Sequence, residues 1–396
     1  EAFQHEMTPE KRNIPINQKY SFSIGNQTRL FGRTLGYIAS AMYSRKFGGY
    51  QDGTYARWML KSTAENATGL ENMFNLNDQK TTDEVLWGLN LKTSYKFTPQ
   101  DIVSLTTMYN QNGIGTGRNF MRSFPYDLRD DELYVVSSQQ YQERKLASYQ
   151  LEGNHQIDRL GRTKLEWQAS YANSQQNEPD LRYLTYSITP GEEETSYNVR
   201  SNIPQERYFR NLQENRWEGD YNFEVPLNKS DQKPKSIKFG SSFAYKDRDF
   251  DERRFIYEPP EDIGNLLNEH NGNFDSVFTD KNMGTIGSQI MPNGKEYFDI
   301  GIYLKETNQL KYNYTGQQQI SAHYVMADIY ATEKLRIIGG ARYEKTDMEV
   351  ASDDTTQPAG NVVTEDILPS LNIVYSLKDN MNIRASYGKT LARPSF

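Results

Sequence analysis

A strict two-residue alternation constrains this chain more than any other feature of its sequence. Residues 84–111 are EVLWGLNLKTSYKFTPQDIVSLTTMYNQ, and apolar and polar side chains alternate on both sides of a break at 98–101. The apolar positions are Val85, Trp87, Leu89, Leu91, Tyr95 and Phe97 before the break and Val103, Leu105 and Tyr109 after it. Because successive side chains of a strand point to opposite faces, this pattern predicts a two-faced β-hairpin with its turn at 98–101.

The same alternation recurs along the whole chain. It predicts about twelve strands of roughly ten residues or more, the length that a tilted strand needs to cross a bilayer. Short connections are predicted near 28–33, 98–101, 158–161, 226–235, 331–334 and 377–380, and long polar loops near 47–83, 111–137, 176–206, 259–308 and 351–363. Short turns that alternate strictly with long loops are typical of a transmembrane antiparallel up-and-down β-barrel, in which the long loops are extracellular.

Composition narrows the class of protein further. The 396 residues include no cysteine, which excludes disulfides and thiolate metal sites, and the net charge of −7 argues against nucleic acid as a partner. Aromatic residues make up 13% of the chain, although its mean hydropathy is −0.84 and no run of 18 apolar residues offers a membrane-spanning helix. A barrel in the outer membrane explains both values, because only alternate residues meet lipid, aromatic girdles mark its interfaces and the interior is wet. A soluble all-β sandwich is the alternative, but it would mix long and short connections.

Several segments carry a resemblance to a known family. AHYVMADIYATEKLRIIGGARYEKT resembles the barrel hairpin of TonB-dependent outer-membrane receptors, in which an acidic strand end precedes a short turn and a GGxRYE-type strand. The matching positions are Tyr324, Asp328, Gly339, Gly340, Arg342, Tyr343 and Glu344, and the final SYGKTLARPSF, with Arg393 and Pro394, is similar to a later strand of the family. Segments 177–182, 208–214 and 238–255 resemble barrel landmarks of its Bacteroidetes-type members.

The resemblance implies a plug domain followed by a barrel of twenty-two strands. Residues 1–396 are therefore expected to be a partial barrel domain, with the plug and the contact to the TonB complex outside this chain. It also implies extracellular capture of a scarce solute (siderophore, cobalamin, glycan or peptide) followed by energy-coupled uptake, with no bond made or broken, so the protein is not expected to be an enzyme. Two alternatives stay open: a docking subunit of an outer-membrane complex, with a surface lipoprotein as its partner, and a passive porin.

No motif for catalysis or for a resident cofactor emerges from the sequence. The four histidines are far apart, and a histidine metal site needs convergent ring nitrogens. GIGTGR at 113–118 precedes no helical pattern, so a loop tip is expected there rather than a phosphate cradle. Acidic runs at 130–132, 249–252 and 353–354 fit loop-bound calcium or plain solvated loop faces, and no EF-type spacing distinguishes the two.

Two sets of residues are candidates for contact with solute. A charge facing lipid near the middle of a bilayer costs ~2–4 kcal/mol, so charged residues that alternate with apolar positions are assigned to the barrel lumen. These lumen-lining residues are Lys92, Lys96, Arg336, Arg342 and Glu344. Aromatic and arginine side chains are frequent anchors of binding surfaces, although they also pack loops together. The candidates of this kind are Arg118, Phe120, Arg122, Phe124, Tyr126, Arg129, Tyr183 and Tyr186.

Overall fold

The computed structural model describes residues 6–60, 69–123, 131–191, 194–199, 205–228, 235–258, 263–378 and 380–394, and most of them are in strands. The strands are β1 (Gln18–Leu30), β2 (Arg33–Leu60), β3 (Leu70–Lys96), β4 (Ile102–Ser123), β5 (Leu133–Ile157), β6 (Thr163–Thr189), β7 (Ser196–Asn198), β8 (Glu206–Pro226), β9 (Ser236–Glu258), β10 (Thr285–Ile290), β11 (Glu296–Ile300), β12 (Tyr303–Glu306), β13 (Tyr314–Tyr330), β14 (Leu335–Ser352), β15 (Gly360–Lys378) and β16 (Met381–Gly388). Two short helices, α1 (Ile263–Glu269) and α2 (Phe274–Val277), lie between β9 and β10. None of the described helices has the length and apolarity needed to span a membrane.

The short strands β10 and β11 pair in a separate two-stranded sheet, and the other fourteen strands form one antiparallel up-and-down sheet. Its order is β1-β2-β3-β4-β5-β6-β8-β9-β13-β14-β15-β16, in which β7 adds to β6 and β12 adds to β9. The twelve long strands of this path agree with the number predicted from alternation. The antiparallel up-and-down architecture is thus confirmed, and the hairpin turns lie where the short connections were predicted, for example at 97–101 and 331–334.

Register assigns every side chain of this sheet to one of two faces. We call the face that carries Trp87, Leu89 and Leu91 the aromatic face, and the face that carries Lys92 and Lys96 the charged face. Cross-strand partners share a face, and on the aromatic face Leu89 pairs with Ala41 and Tyr109. Trp87 and Leu89 are each about half exposed, at 53% and 52%, because none of the described residues covers them. The aromatic and charged faces are those that alternation predicted.

Two aromatic rows bound the apolar part of the aromatic face. The row farther from the short turns contains Tyr20, Tyr43, Trp87, Tyr149, Tyr171 and Trp217, with neighbouring rings 4.2 to 6.4 Å apart in the contacting pairs. The row beside the short turns includes Tyr95, Phe97, Tyr221, Phe223 and Phe239. From Trp87 to Phe97 the strand advances roughly 33 Å. At the tilt usual for barrels, this gives an apolar band about 25 Å tall.

The strands are longer than the sequence indicated. Most residues that were predicted to lie in the first three long loops instead extend the paired strands beyond the apolar band. In the β2–β3 ladder, for example, the pairing begins at Thr34 with Lys96 and continues to Leu60 with Leu70. GIGTGR at 113–118, expected in a loop tip, lies inside β4. Beyond the band both faces are polar, so apolar and polar residues no longer alternate in the sequence. The strands continue there because their backbone N–H and C=O groups still form hydrogen bonds with each other.

Beyond the band, other parts of the chain cover the aromatic face. The helices α1 and α2 pack on β6 and β9 there, and the N-terminal segment 6–16 lies beside them. A buried cluster joins Met7 and Ile302 to Leu184 of β6, Tyr257 of β9 and the helical residues Ile263, Leu267, Phe274, Val277 and Phe278. The largest apolar core of the described residues therefore lies outside the band, on the face that is bare within it.

A β-bulge at Asp180 marks this boundary on β6. Asp180 has φ +94° and is skipped by the pairing with β8, which runs from Pro179–Phe209 to Leu181–Tyr208. Its carboxylate accepts hydrogen bonds from Arg207 Nε at 2.6 Å and from Arg182 Nε at 2.9 Å. The Arg207 side chain is 1% exposed, so this ion cluster is buried in the sheet beneath the helices.

Candidate functional site

The predicted lumen-lining residues lie on the charged face, and four of them form ion pairs. Lys92 bonds Glu152 at 2.7 Å, and Arg336 bonds Asp328 through two nitrogens at 2.8 and 2.5 Å. Arg342 lies 2.8 Å from Glu344. This part of the sheet is therefore a wall of ion pairs, in which acidic and basic side chains of the same strand or of nearby strands neutralise each other's charges.

Two further features complete that wall. Glu344 also accepts from Arg393, which the resemblance singled out with its following proline. Lys96 is exposed at the short-turn end of β3, next to the turn that begins at Phe97. The charged face thus runs from the short turns through the band with polar side chains along its length.

Beyond the band, the charged face carries an aromatic–arginine cluster at β2, β3 and β4. We call it the Arg118 cluster. Arg118 holds Asp78 in a two-nitrogen fork, with Nε–Oδ1 at 2.9 Å and Nη2–Oδ2 at 2.7 Å. The Arg118 guanidinium lies 4.2 Å from the centre of the Phe120 ring, and Tyr55 lies 5.0 Å from the same ring. The structure therefore brings together two of the predicted ligand-contact residues, Arg118 and Phe120.

Asp78 fixes the geometry of this cluster. Its side chain is only 5% exposed, and it also accepts a hydrogen bond from the Tyr50 hydroxyl at 2.5 Å. The fork from Arg118 is the main reason that the pKa of Asp78 lies below its ordinary value, and the Tyr50 bond lowers the pKa further. Asp78 thus stays ionised and holds the guanidinium plane against Phe120, leaving Tyr55 and the outer side of the cluster open to solvent.

A second cluster on the charged face was not predicted from the sequence. We call it the Arg210 cluster, and it lies on β6, β8 and β9. Arg210 bonds Glu252 at 2.6 Å and lies 3.4 Å from Glu178, while its guanidinium carbon lies 4.7 Å from the Tyr208 ring centre. Burial is the main cause of the raised pKa of Tyr208, and the bond to Glu206 adds to it. The signal available in the sequence was the alternation of charge in YFRNLQE and DFDERRF, which resembled family landmarks but was not assigned to a face.

The remaining candidates are separated or lie outside the described residues. Tyr183 joins the Arg210 cluster, with its ring 6.1 Å from Tyr208. Tyr186 points to the aromatic face, where it packs 4.9 Å from Phe274. Positions three apart in a strand take opposite faces, so these two tyrosines do not share a surface. Arg122 pairs with Tyr134 in the β4–β5 ladder. The Arg122 side chain and residues Phe124, Tyr126 and Arg129 lie outside the described part of the chain.

Two histidines make hydrogen bonds that resemble parts of catalytic sites. His155 Nδ1 lies 3.2 Å from Asp101, and its Nε2 accepts from the Trp167 indole at 3.1 Å. His323 Nδ1 lies 2.7 Å from the Ser241 hydroxyl on the aromatic face. Neither histidine joins a nucleophile to a carboxylate among its described partners, which is the arrangement that activates a serine.

The acidic runs are divided between faces and occupied by protein partners. Consecutive strand residues alternate, so Asp251 bonds Asn313 whereas Glu252 bonds Arg210 on the other face. Asp354 accepts from the Thr356 hydroxyl at 2.6 Å. Across the described residues, no three His, Cys, Asp or Glu side chains lie close enough to hold a metal ion.

Comparisons with known proteins agree with this architecture. The family model described as TonB dependent receptor-like, beta-barrel, matches residues 166–396, which is more than half of the chain. No curated protein matches the sequence.

A search of solved structures finds the crystal structure of the siderophore receptor PiuA from Acinetobacter baumannii, with a TM-score of 0.46 and 10% identity. That match covers 94% of this chain and 48% of PiuA, so the chain spans about half the length of that receptor. This similarity is too low to support a statement about ligand or mechanism. The family match covers β8 to β16 and most of β6, and the same meander continues without a break into β1 to β5. The chain belongs to the TonB-dependent receptor-like β-barrel family, a family of outer-membrane receptors and transporters.

Proposed function

We propose that this chain forms part of the wall of an outer-membrane barrel that captures a scarce solute and imports it by TonB-dependent energy coupling. The observation that carries the proposal is the pair of aromatic rows enclosing a band about 25 Å tall, with ion-paired side chains on the opposite face. In this arrangement the aromatic face meets lipid, the charged face meets a wet lumen, and the long connections are extracellular.

The Arg118 cluster is the part of the wall proposed to touch solute. It lies beyond the band on the charged face, where a solute arriving from outside meets the barrel first. Its exposed groups are aromatic ring faces beside a guanidinium, which suit a ligand that has a flat or ring-shaped apolar part and an anionic group. This chemistry is compatible with siderophores and acidic glycans, and it is less suited to a small inorganic ion.

Uptake by cells tests the transport proposal. The protein is produced in a host lacking its own receptors, and uptake of radiolabelled ferric siderophores, cobalamin, oligosaccharides and peptides is measured with and without TonB. We expect the cells to take up one class of these solutes, and we expect this uptake to stop when TonB or the proton-motive force is removed. Diffusive conductance of the purified protein in planar bilayers that needs no coupling would identify a porin. Copurifying lipoproteins without uptake would identify a docking subunit.

Paired substitutions on β4 test the solute-contact residues. We expect Phe120→Ala and Arg118→Ala to weaken binding of the imported solute by about tenfold or more, as at other aromatic and arginine anchors. Met121→Ala is the matched control, because Met121 is 49% exposed on the same strand but points to the other face. Equal losses in all three variants, measured by titration calorimetry on the purified protein, would contradict the assignment of this cluster to the solute.

A further inference from the structure

Two cavities lie one above the other on the aromatic face of β2 to β5. The first is an apolar groove of about 390 Å³ inside the band, lined by Ala39, Ala41, Leu89, Leu91 and Tyr149. The second is a polar cleft of about 870 Å³ beyond the band, bounded by the same strands and by residues of the N-terminal segment. Between them on β2 and β3 lies the Tyr43–Trp87 ring pair of the aromatic row.

Small side chains create the groove. Ala39 and Ala41 of β2 face Leu91 and Leu89 of β3 across the ladder, whereas most neighbouring positions of the aromatic face carry large side chains. The resulting depression opens sideways, toward the surroundings of the band rather than toward the charged face. Under the proposed function, those surroundings are lipid acyl chains.

The polar cleft lies between the strands and the N-terminal segment. Its floor includes Gln79, Gln139 and Tyr141, and its outer wall is residues 8–15. The segment packs directly on β4, since a Cβ at Gly117 would lie in van der Waals contact with Pro9, at 3.5 Å. Beyond the band, the segment therefore covers the aromatic face of β2 to β5, whereas the same strands are uncovered within the band.

The N-terminal segment is fixed at one end. The Met7 amide donates to Asp275 Oδ1 of α2 at 2.7 Å, and Arg182 donates to the Glu6 carbonyl. The Met7 side chain is fully buried against Tyr257. The N-terminal segment is thus anchored at residues 6 and 7 to the helices α1 and α2 and the strands beneath them, which we call the helical cover, while residues 10–16 remain exposed.

The chemistry of the cleft favours a sugar. Its lining is rich in amides and hydroxyls that both donate and accept, and it includes the aromatic rings of Phe47 and Tyr141. Acidic and basic side chains are both present, but the basic ones include Arg45 and Arg182, whose carboxylate partners Asp83 and Asp180 line the same cleft. A sugar headgroup suits such balanced, hydrogen-bonding walls better than a bare anion.

We propose that this surface binds one outer-leaflet glycolipid, with its sugar headgroup in the cleft and an acyl chain in the groove. The proposal rests on the proposed function for the orientation of the barrel, because the long-connection end must face the outer leaflet. A free sugar would have no use for the apolar groove. A phospholipid headgroup would leave most of the cleft without partners. The occupant is distinct from the imported solute, which meets the charged face.

Lipid retention tests this site without relying on transport. The protein is extracted from outer membranes into lipid nanodiscs, and lipid A, phosphatidylethanolamine and protein are quantified by mass spectrometry. The test variants are Ala41→Trp, which fills the groove, and the double substitution Gln79→Ala with Gln139→Ala, which strips the cleft. Ala169→Trp is the matched control, because Ala169 faces the same side on β6, outside the groove.

We expect the wild type and Ala169→Trp to retain a stoichiometric glycolipid, and both test variants to lose most of it. Delipidated protein should also bind added rough lipopolysaccharide in preference to phosphatidylethanolamine vesicles or the deacylated core sugar. Equal retention of phosphatidylethanolamine, equal binding of the deacylated sugar, or equal loss in Ala169→Trp would overturn the proposal. Uptake assays on the same variants separate the two proposals. If the wild type imports no solute but loses its glycolipid in Ala41→Trp, the transport proposal fails and the glycolipid site is still supported.

Discussion

Within the apolar band, the two faces of the sheet differ as sharply as lipid and water do, whereas beyond the band they differ only in what covers them. Inside the band, Leu89 and Trp87 are bare on one face while Lys92 is ion-paired on the other. Beyond it, charged side chains occupy both faces, with the Asp180 ion cluster on the aromatic face and the Arg118 cluster on the charged face.

This difference shows that the alternation of apolar and polar residues depends on the surroundings of the two faces of a strand, and that a strand can form without it. In the band, one face must be apolar because a lipid-facing charge is costly, and the other may be polar because water reaches it. Beyond the band, water is available to both faces, so an apolar core forms only where the helices α1 and α2 and Met7 cover the sheet.

The largest predicted effect tests the covered region. Asp180→Asn keeps a side chain that tolerates a positive φ but removes the carboxylate between Arg182 and Arg207. Leaving buried guanidinium groups without their carboxylate should cost about 3–5 kcal/mol in the free energy of unfolding, measured by denaturant titration in lipid. Asp83→Asn is the control on the same face, because its pair with Arg45 is about 40% exposed and should contribute only ~0.2–1 kcal/mol. Similar losses from the two variants would mean that the helical cover does not seal the ion cluster.

A somewhat smaller effect is expected for a charge placed in the band. Leu89→Arg faces the proposed lipid and should cost about 2–4 kcal/mol in the free energy of folding into bilayers. Asn90→Arg, one residue away on the charged face, should cost little. The assay is the yield of the heat-modifiable folded form, together with the unfolding midpoint in lipid. Equal tolerance of both substitutions would remove the distinction between the faces.

Packing near the short turns should show a still smaller effect. The Trp167 indole lies flat over Gly153, where a Cβ would come within 2.3 Å of its Nε1, and from there it bonds His155. Gly153→Val should displace the indole and cost about 1–3 kcal/mol through overpacking. Gly219→Val on β8 is the control, because its nearest atom is a backbone oxygen 3.8 Å away. Tryptophan fluorescence should shift toward longer wavelength in the first variant only.

The smallest predicted effect concerns pH on the charged face beyond the band. Because Arg118 and Tyr50 lower the folded-state pKa of Asp78, its stabilising contribution is fully present above the unfolded value of about 3.9. That contribution is lost as pH falls through the lower folded value. Asp78→Asn should therefore flatten the loss of stability between about pH 5 and pH 2 without changing stability slopes near neutrality. An unchanged acid slope would show that the fork does not persist in solution.

Much of the fold was predictable because alternation and turn chemistry are local properties. The hairpin at 84–111, the short turns and the two faces follow from side-chain period alone. Arg118 and Phe120 were selected for their residue types, and they meet because they are two apart in one strand. Tyr183 and Tyr186 were selected on the same grounds, but they are three apart, so the strand places them on opposite faces.

Other features depend on partners far along the chain. The Arg210 cluster forms only when β6, β8 and β9 lie side by side. The pattern of residues within one strand does not predict its ion pairs, because they join different strands. GIGTGR suggested a loop because three glycines in six residues usually mark one, yet the ladders to β3 and β5 hold it extended. Of its glycines, Gly113 has a steric reason, because a Cβ there would lie 2.7 Å from the Tyr141 hydroxyl.

The sequence by itself determined which residues lie on the aromatic face and which lie on the charged face in the band, because a strand alternates its faces and a bilayer penalises charge on one of them. The tertiary structure alone decided what lies beyond the band: the length of the strands, the bulge at Asp180 and the helical cover over Leu184 and Tyr257. Beyond the band no such period holds, so side chains there are placed by contacts between segments that lie from 27 to 268 residues apart.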